Sequence, residues 1–534
     1  MLKGMKNQPL DQYIEDYALE IPSAVALNFY GKEITYYELN KLVIIFSNYL
    51  QSIGIKKGDV VALYLQNCPQ YIIAFYGAQR VGAIVGPCNP MFKEWELSYQ
   101  LQDLEAKLIV TSVDLYPILH NIKDETMLQE IILIDYVDYL PKNPYPPFPE
   151  KIQSVEFKGT TLWQQIFNKE VFQRECERVA VNMTEDVAMI IYTSGTTGVP
   201  KGAMLTYKNS EYQAYVTAKY NDFSVGDKLL NVMPIFHIAG KLIGMMTPFI
   251  AGATSLLLMR FSPQEYLQTI EAYKPNFLTT TVPMNISMLE HPLMNSTDFS
   301  TIKENIAISF GIQLTEQISN DWQEIAGFPL LESGYGMTET HTLNSMTPKD
   351  QIKYGVNGRP TKGTTIKIVD ATDFSKELTS NKRGMILLKG PSVFKGYKGR
   401  EQETAHSFYG DFFVTGDMGL FDEDGFLVFL GRATELIKSS GYNVYPEEVE
   451  KMLEQHEFIK EVAVVGIPDK VRGESSKAFI VLKEGANPTE EMIISWAKKK
   501  MAAYKYPREV EFIMTLPKTN SGKVLRRILK DQKR

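Results

Sequence analysis

Cysteine is scarce. The 534 residues hold three, Cys68, Cys88 and Cys176, an odd number without the paired spacing of a metal module. A disulfide scaffold and a zinc knot are therefore not expected, and a reducing, cytoplasmic setting is. An excess of positive charge is missing too: 56 Lys and Arg against 63 Asp and Glu leave a net charge of −7. A nucleic-acid-binding domain would normally be basic. Residues 1–10 contain two lysines but no apolar core, so no secretory signal is expected there. Long apolar runs are nearly absent. One uncharged stretch, 242–259, reaches eighteen residues, about the minimum for a spanning helix. It contains Thr247-Pro248 and Gly252, followed by Leu256, Leu257 and Leu258, which predicts a buried helix and then a short buried strand. Neither a repeat nor a low-complexity tail is visible. What remains, 44% hydrophobic and 22% charged, is the composition of a soluble globular chain. Its length allows about three or four domain-sized units.

One stretch organises the rest: Tyr192, Thr193, Ser194, Gly195, Thr196, Thr197, Gly198, Val199, Pro200, Lys201 and Gly202. Val187, Met189, Ile190 and Ile191 before it read as a buried strand. Glycines let the backbone turn tightly, while amide N–H groups, hydroxyls and an ammonium all favour phosphate. No Gly-Lys-Ser/Thr follows four residues after a glycine, so this is not a Walker A loop.

Strands and helices alternate on either side of it. Thr35 and Glu38 have capping-box spacing, and Leu39, Leu42, Val43, Phe46 and Leu50 follow at helical intervals up to Gly54. Strands are predicted at 60–65, 108–111 and 131–135, with a helix at 71–81. Such alternation implies a parallel sheet covered on both faces. Five prolines within 141–149 mark a surface loop. A helix is predicted at 210–220 and a strand at 228–232, and from about residue 363 short strands between glycine turns suggest a small β-rich subdomain. Gly431-Arg432 reads as a boundary, followed by an α+β module of about a hundred residues.

A second landmark is Ser333-Gly334-Tyr335-Gly336-Met337-Thr338-Glu339. Glycines around a tyrosine let a flat base approach the backbone, and a hydroxyl beside a carboxylate suits phosphate and Mg²⁺. Thr415-Gly416-Asp417, Gly431-Arg432, Ile437-Lys438, the run Gly441-Tyr442-Asn443-Val444-Tyr445-Pro446-Glu447 and the basic segment from Pro517 to Arg527 follow in order.

Taken together, these motifs resemble those of the adenylate-forming superfamily, which holds acyl-CoA synthetases, luciferases and amino-acid-adenylating domains. The resemblance implies an α/β fold. A large multi-subdomain N-terminal domain, residues 1–431, would hold two doubly wound sheets and a small β-rich subdomain. A mobile α+β C-terminal domain, residues 432–534, would follow. It implies that Thr193, Ser194, Gly195, Thr196, Thr197, Gly198 and Lys201 hold ATP phosphates. Gly334 and Tyr335 would lie on the adenine, Thr338 on the α-phosphate, Glu339 on Mg²⁺ and Asp417 on the ribose hydroxyls. Arg432 would contact the nucleotide, and Lys438 and Gly441 would line the path of a coenzyme A thiol. His237, in Pro234-Ile235-Phe236-His237, would wall the acyl site, and Lys523 would bridge the attacking oxygen and the α-phosphate.

The implied reaction has two halves. A carboxylate attacks the α-phosphate of ATP, and a thiol then attacks the acyl-adenylate and releases AMP. A fatty-acid-type acyl-CoA synthetase, working in the cytoplasm and able to form a homodimer, is the leading expectation. An aryl-acid or dicarboxylate CoA ligase is the alternative. An amino-acid-adenylating domain would carry an aspartate within 236–246, where there is none. A luciferase-like oxygenase shares every motif. An inactive relative would have lost Lys523 or Glu339. Two departures stand out: Gly311-Ile312-Gln313 replaces the family's Gly-Ala-Pro, and Thr434 occupies the hinge position. Lys241, four residues after His237, has two readings. Either its stem packs on apolar surface while its charge reaches water, or it pairs with a second polar group on the substrate.

Overall fold

The computed structural model of the chain describes residues 4–149, 157, 159–172, 177–193, 200–309, 312–439, 442–469, 472–501, 503–519, 522 and 524–531. Among the expected site residues, Ser194, Gly195, Thr196, Thr197, Gly198, Gly441 and Lys523 lie outside these.

The capping box forms as the spacing predicts. Glu38 donates its amide to the Thr35 hydroxyl at 3.2 Å and its carboxylate accepts the Thr35 amide at 2.8 Å, opening the helix Tyr36–Ser52. That helix buries Leu39, Val43, Phe46 and Leu50, and Gly54 stands just beyond its end at φ +84°. It packs on the helix Pro69–Arg80 above an eight-stranded sheet. Strands Val60–Tyr64, Ile84–Cys88, Leu108–Ser112, Glu130–Ile134 and Thr161–Leu162 run parallel there with Val187–Thr193. The expected all-parallel sheet is corrected at one edge. Lys201–Thr206 returns antiparallel to Val187–Thr193, and Gly396–Tyr397 adds antiparallel to it. A loop of a few residues can reverse a strand, whereas a parallel return needs a crossover of a dozen or more.

A second, seven-stranded sheet runs in the order Leu331–Glu332, Glu304–Ile308, Phe277–Thr281, Lys228–Asn231, Thr254–Leu257, Val25–Phe29, Lys32–Thr35. Its last two strands form a hairpin from the start of the chain. Helices from both sheets share one apolar core in which Tyr76 meets Phe249 and Tyr36 meets Phe249. After a turn of α-helix, Ile238–Lys241, the uncharged stretch lies in this core as a π-helical segment Leu242–Met246, a helix Thr247–Ala251 and the strand Thr254–Leu257. Among the described residues, no helix is long and apolar enough to cross a membrane.

The third layer is an antiparallel sheet of Thr365–Val369, Gly384–Lys389, Phe412–Phe421, Phe408–Tyr409 and Leu427–Arg432. After Arg432 a 3₁₀ turn, Ala433–Glu435, leads into another sheet. There Ile459–Asp469 and Gly473–Leu482 pair over the helices Pro446–Leu453 and Glu490–Lys500. This last unit has its own core of Ile437, Val449, Leu453, Val464, Ile480 and Ile493. Tyr445 instead packs on Val369, Met385 and Leu387 of the preceding sheet, beside an ion pair of 2.9 Å between Arg383 and Glu448.

Candidate active site

The glycine-rich stretch springs from a hairpin stem. Thr193 stands opposite Lys201 in the antiparallel register, so the chain leaves and rejoins the sheet at one point. The Lys201 ammonium pairs with Glu403 and lies 5.3 Å from the centre of the Tyr397 ring. The Tyr397 phenol in turn donates to Glu339 Oε1 at 2.9 Å. One aromatic side chain thus joins the stem of the glycine-rich loop to the carboxylate of the second motif.

That motif is also a hairpin. Gly334–Tyr335 pairs with Ser345–Met346, and the 3₁₀ turn Thr338–Thr340 lies in the loop between them. Gly334 has φ +144°, and a Cβ there would stand 1.8 Å from the Ser345 carbonyl oxygen, so only glycine fits. Tyr335 is buried against Phe429, and its hydroxyl donates to Asp417 Oδ2 at 2.7 Å. Asp417 Oδ1 meets Arg432 Nε at 2.9 Å, and Arg432 Nη1 donates to the Thr415 carbonyl at 3.0 Å. Burial first, and the Asp417 charge second, push the Tyr335 phenol far up, so it stays a hydrogen-bond donor.

Burial also raises the Glu339 carboxyl. Among the described residues it pairs with no cation, and no cluster of three or more His, Cys, Asp or Glu could hold a metal. A single buried carboxylate fits an ion that needs one protein oxygen and completes its shell with phosphate and water, as Mg²⁺ does.

His237 caps the turn Ile238–Lys241, its Nδ1 accepting the Ala239 amide at 3.4 Å. Burial, helped by the nearby Lys241, pushes it down to about 4, so the ring is neutral at pH 7. Lys241 corrects the reading that its charge reaches water: the side chain is 0% exposed. Nζ donates to the Tyr71 hydroxyl at 2.5 Å and lies 4.7 Å from the centres of the Tyr71 and Phe75 rings. Burial drives its pKa far down, and no acid among the described residues pairs with it. It faces the helix Pro69–Arg80, which makes it part of the core. Lys241→Met, assayed over a panel of acids, is therefore expected to leave the order of acid preference unchanged. A selective loss on dicarboxylic or oxo acids would show that the substrate reaches the amine.

Lys438, on the strand Ile437–Ser439, has an exposed side chain and joins neither cluster. Tyr397 and Glu403 were not evident from the sequence. Their only local signal is a short Gly-aromatic pair and one glutamate in a charged helix, Glu401–His406. Their importance arises from strand Gly396–Tyr397 docking on Lys201–Thr206.

This plan, two α/β layers carrying a glycine-rich hairpin and a carboxylate loop, followed in the chain by a small α+β unit, is that of the adenylate-forming acid–thiol ligases. Its family follows from comparison with known proteins. The chain belongs to the AMP-binding enzyme family, whose sequence model matches residues 14–398, while that of the AMP-binding enzyme C-terminal domain matches residues 448–523. A long-chain-fatty-acid–CoA ligase of Bacillus subtilis is 34% identical over 99% of this chain and 95% of its own length. A crotonobetaine/carnitine–CoA ligase of Escherichia fergusonii is 34% identical over 93% of each. The crystal structure of ATP-bound MatB from Rhodopseudomonas palustris superposes with a TM-score of 0.85 at 27% identity, over 98% of both chains.

Proposed function

We propose that the chain converts a medium- or long-chain fatty acid, with ATP and coenzyme A, into acyl-CoA, AMP and pyrophosphate in the cytoplasm. A carboxylate oxygen attacks the α-phosphorus, and the bond to the β-phosphate bridging oxygen breaks. A thiolate sulfur then attacks the acyl carbon, and AMP leaves with the bonding pair. The observation that carries this reading is the hairpin Gly334–Met346, which presents Tyr335 to Asp417 and Arg432 at one end and Glu339 to Tyr397 and Lys201 at the other. In it the adenine lies along Gly334 and Tyr335. Asp417, paired with Arg432, accepts from the ribose hydroxyls.

Thr338 donates to the α-phosphate, and Thr193, Ser194, Gly195, Thr196, Thr197, Gly198 and Lys201 cradle the other two phosphates. Lys201 would exchange Glu403 for phosphate oxygen. Glu339 would hold Mg²⁺, which when bound neutralises phosphate charge. Catalysis is then mostly positioning and electrostatics. Neutral His237 walls the acyl end without adding a charge. Lys523 stabilises the charge that develops at phosphorus, and Lys438 and Gly441 serve the thiol.

The Bacillus relative's name and the apolar surroundings of His237 support a fatty acid. The crotonobetaine/carnitine relative, also 34% identical but over less of the chain, supports a second reading, a ligase for a smaller polar acid. Pyrophosphate release measured over alkanoic, aromatic and dicarboxylic acids, with and without coenzyme A, separates the two. No release with any acid would sink both.

The unit 432–534 must also present different residues to the two steps, with Thr434 of the turn Ala433–Glu435 as the hinge. Thr434→Pro should slow thioester formation more than adenylation, since it fixes φ at the pivot. Equal loss of both would reject the pivot.

A further inference from the structure

The loop carrying Thr338 and Glu339 closes through an unusual piece of backbone. His341, Thr342 and Leu343 follow one another at φ +58°, +55° and +48°. Side-chain-bearing residues visit this left-handed region singly and at a cost, because Cβ crowds the following carbonyl. Three in a row persist only where the surroundings over-determine them, and such segments gather at functional sites.

The surroundings here are specific. Thr342 donates its amide to the Met337 carbonyl at 2.9 Å, His341 to Thr338 at 3.1 Å and Asn344 to Tyr335 at 2.7 Å. A Cβ on Gly336 would stand 2.5 Å from the Leu343 nitrogen, so the two arms of the loop touch. From outside, Gln213 Nε2 donates to the Leu343 carbonyl at 2.8 Å, and His341 Nε2 lies 3.1 Å from Ser210 Oγ. All three of these side chains are buried. Gln213 and Ser210 lie on the helix Tyr207–Tyr220, which begins as the strand Lys201–Thr206 ends. The same helix is therefore anchored to the glycine-rich hairpin at one end and to the left-handed turn along its side.

We infer that Gln213 and Ser210 are positioning residues: they hold the strained turn His341–Leu343 so that Thr338 and Glu339 stand at a fixed place relative to the glycine-rich hairpin. Strain is kept because a relaxed loop would let the carboxylate wander from the phosphate it must share an ion with. This rests on the reading of Glu339 as the Mg²⁺ residue.

The test uses the full chain with Thr342→Gly, Gln213→Met and Glu339→Gln. Thr342→Gly removes the steric cost of left-handed backbone and so should keep or raise the unfolding temperature of the ligand-free protein. Amide hydrogen exchange across 338–344 should nevertheless quicken. Calorimetric affinity for ATP with Mg²⁺ should fall about tenfold, about 1.4 kcal/mol by the equilibrium relation. Affinity for ATP in a chelator should stay within twofold of wild type. Gln213→Met should reproduce the loss of Mg²⁺-dependent affinity. A merely structural clamp would lower the unfolding temperature without altering the effect of Mg²⁺ on binding. If Glu339→Gln abolishes the gain from Mg²⁺ while Thr342→Gly and Gln213→Met keep it, the positioning role is wrong and the metal role stands. If Glu339→Gln keeps it, the metal role itself is wrong and the inference falls with it.

Discussion

Lys523→Ala is expected to lower pyrophosphate release from acid and ATP by about 10²–10³, the usual effect of removing one charge stabiliser. Thioester formation from synthetic acyl-adenylate and coenzyme A should stay near wild type, because that step expels AMP and needs no cation at the same atom. The two assays, run side by side on the same preparation, decide the role. Equal slowing in both would remove Lys523 from the chemistry. General unfolding is not expected, since the described flanks are tied down independently. Lys518 bridges Val524 across the segment and pairs with Glu461 at 2.6 Å, and Leu525 donates its amide to Pro517 at 2.8 Å. Arg526 pairs with Glu435 at 2.6 Å and with Glu450 at 2.7 Å, joining the segment to the turn after Arg432.

The second large effect is expected at Asp417, which serves stability and binding together. Asp417→Ala strips Arg432 of its carboxylate and Tyr335 of its acceptor in a largely buried place. Removing one partner of a buried ion pair costs about 3–5 kcal/mol. The lower figure applies, because the Arg432 side chain keeps 25% of its surface exposed. Denaturant unfolding should register that loss, and the KM for ATP should rise about a hundredfold or more as two ribose hydrogen bonds to a charged group disappear. Asp417→Asn keeps the acceptor for Tyr335 and loses the charge, so it should fall between the two. An ATP KM unchanged in Asp417→Ala, in protein shown to be folded, would rule out the ribose assignment.

Local features were legible where local physics decides them. The capping pair Thr35 and Glu38, the helix behind it, and strands such as Val60–Tyr64 and Leu108–Ser112 follow from spacing, caps and apolar runs within a few residues. The residues proposed for the nucleotide site stand out as motifs through resemblance more than through any property of a lone Gly-Asp or Gly-Arg pair. What was not legible depends on partners distant in the chain. Tyr397 matters because its short strand docks beside Lys201, and nothing in the six residues around it signals that. Lys241 looks like a side chain that should reach water, yet the helix Pro69–Arg80 covers it with Tyr71 and Phe75. The strained turn His341–Leu343 has no glycine to announce it, because its conformation is imposed by Gln213 and Ser210 from another element.

The hairpin at the start of the chain also sets a schedule for synthesis. Val25–Phe29 pairs on one side with Lys32–Thr35 but on the other with Thr254–Leu257, Leu27 standing opposite Ser255. During translation the early hairpin leaves the ribosome with one edge unpaired, and its partner strand is made 228 residues after Leu27. At about 5–20 residues per second, that gap lasts roughly ten to forty-five seconds. Through that interval a row of free amide and carbonyl groups is exposed beside apolar Val25, Leu27 and Phe29, which is the kind of edge that recruits other chains. The first eight-stranded sheet can assemble most of its parallel core in the meantime, since its strands from Val60 to Leu162 are consecutive. The nascent hairpin thus carries an open edge along Val25–Phe29 until residue 257 has been made.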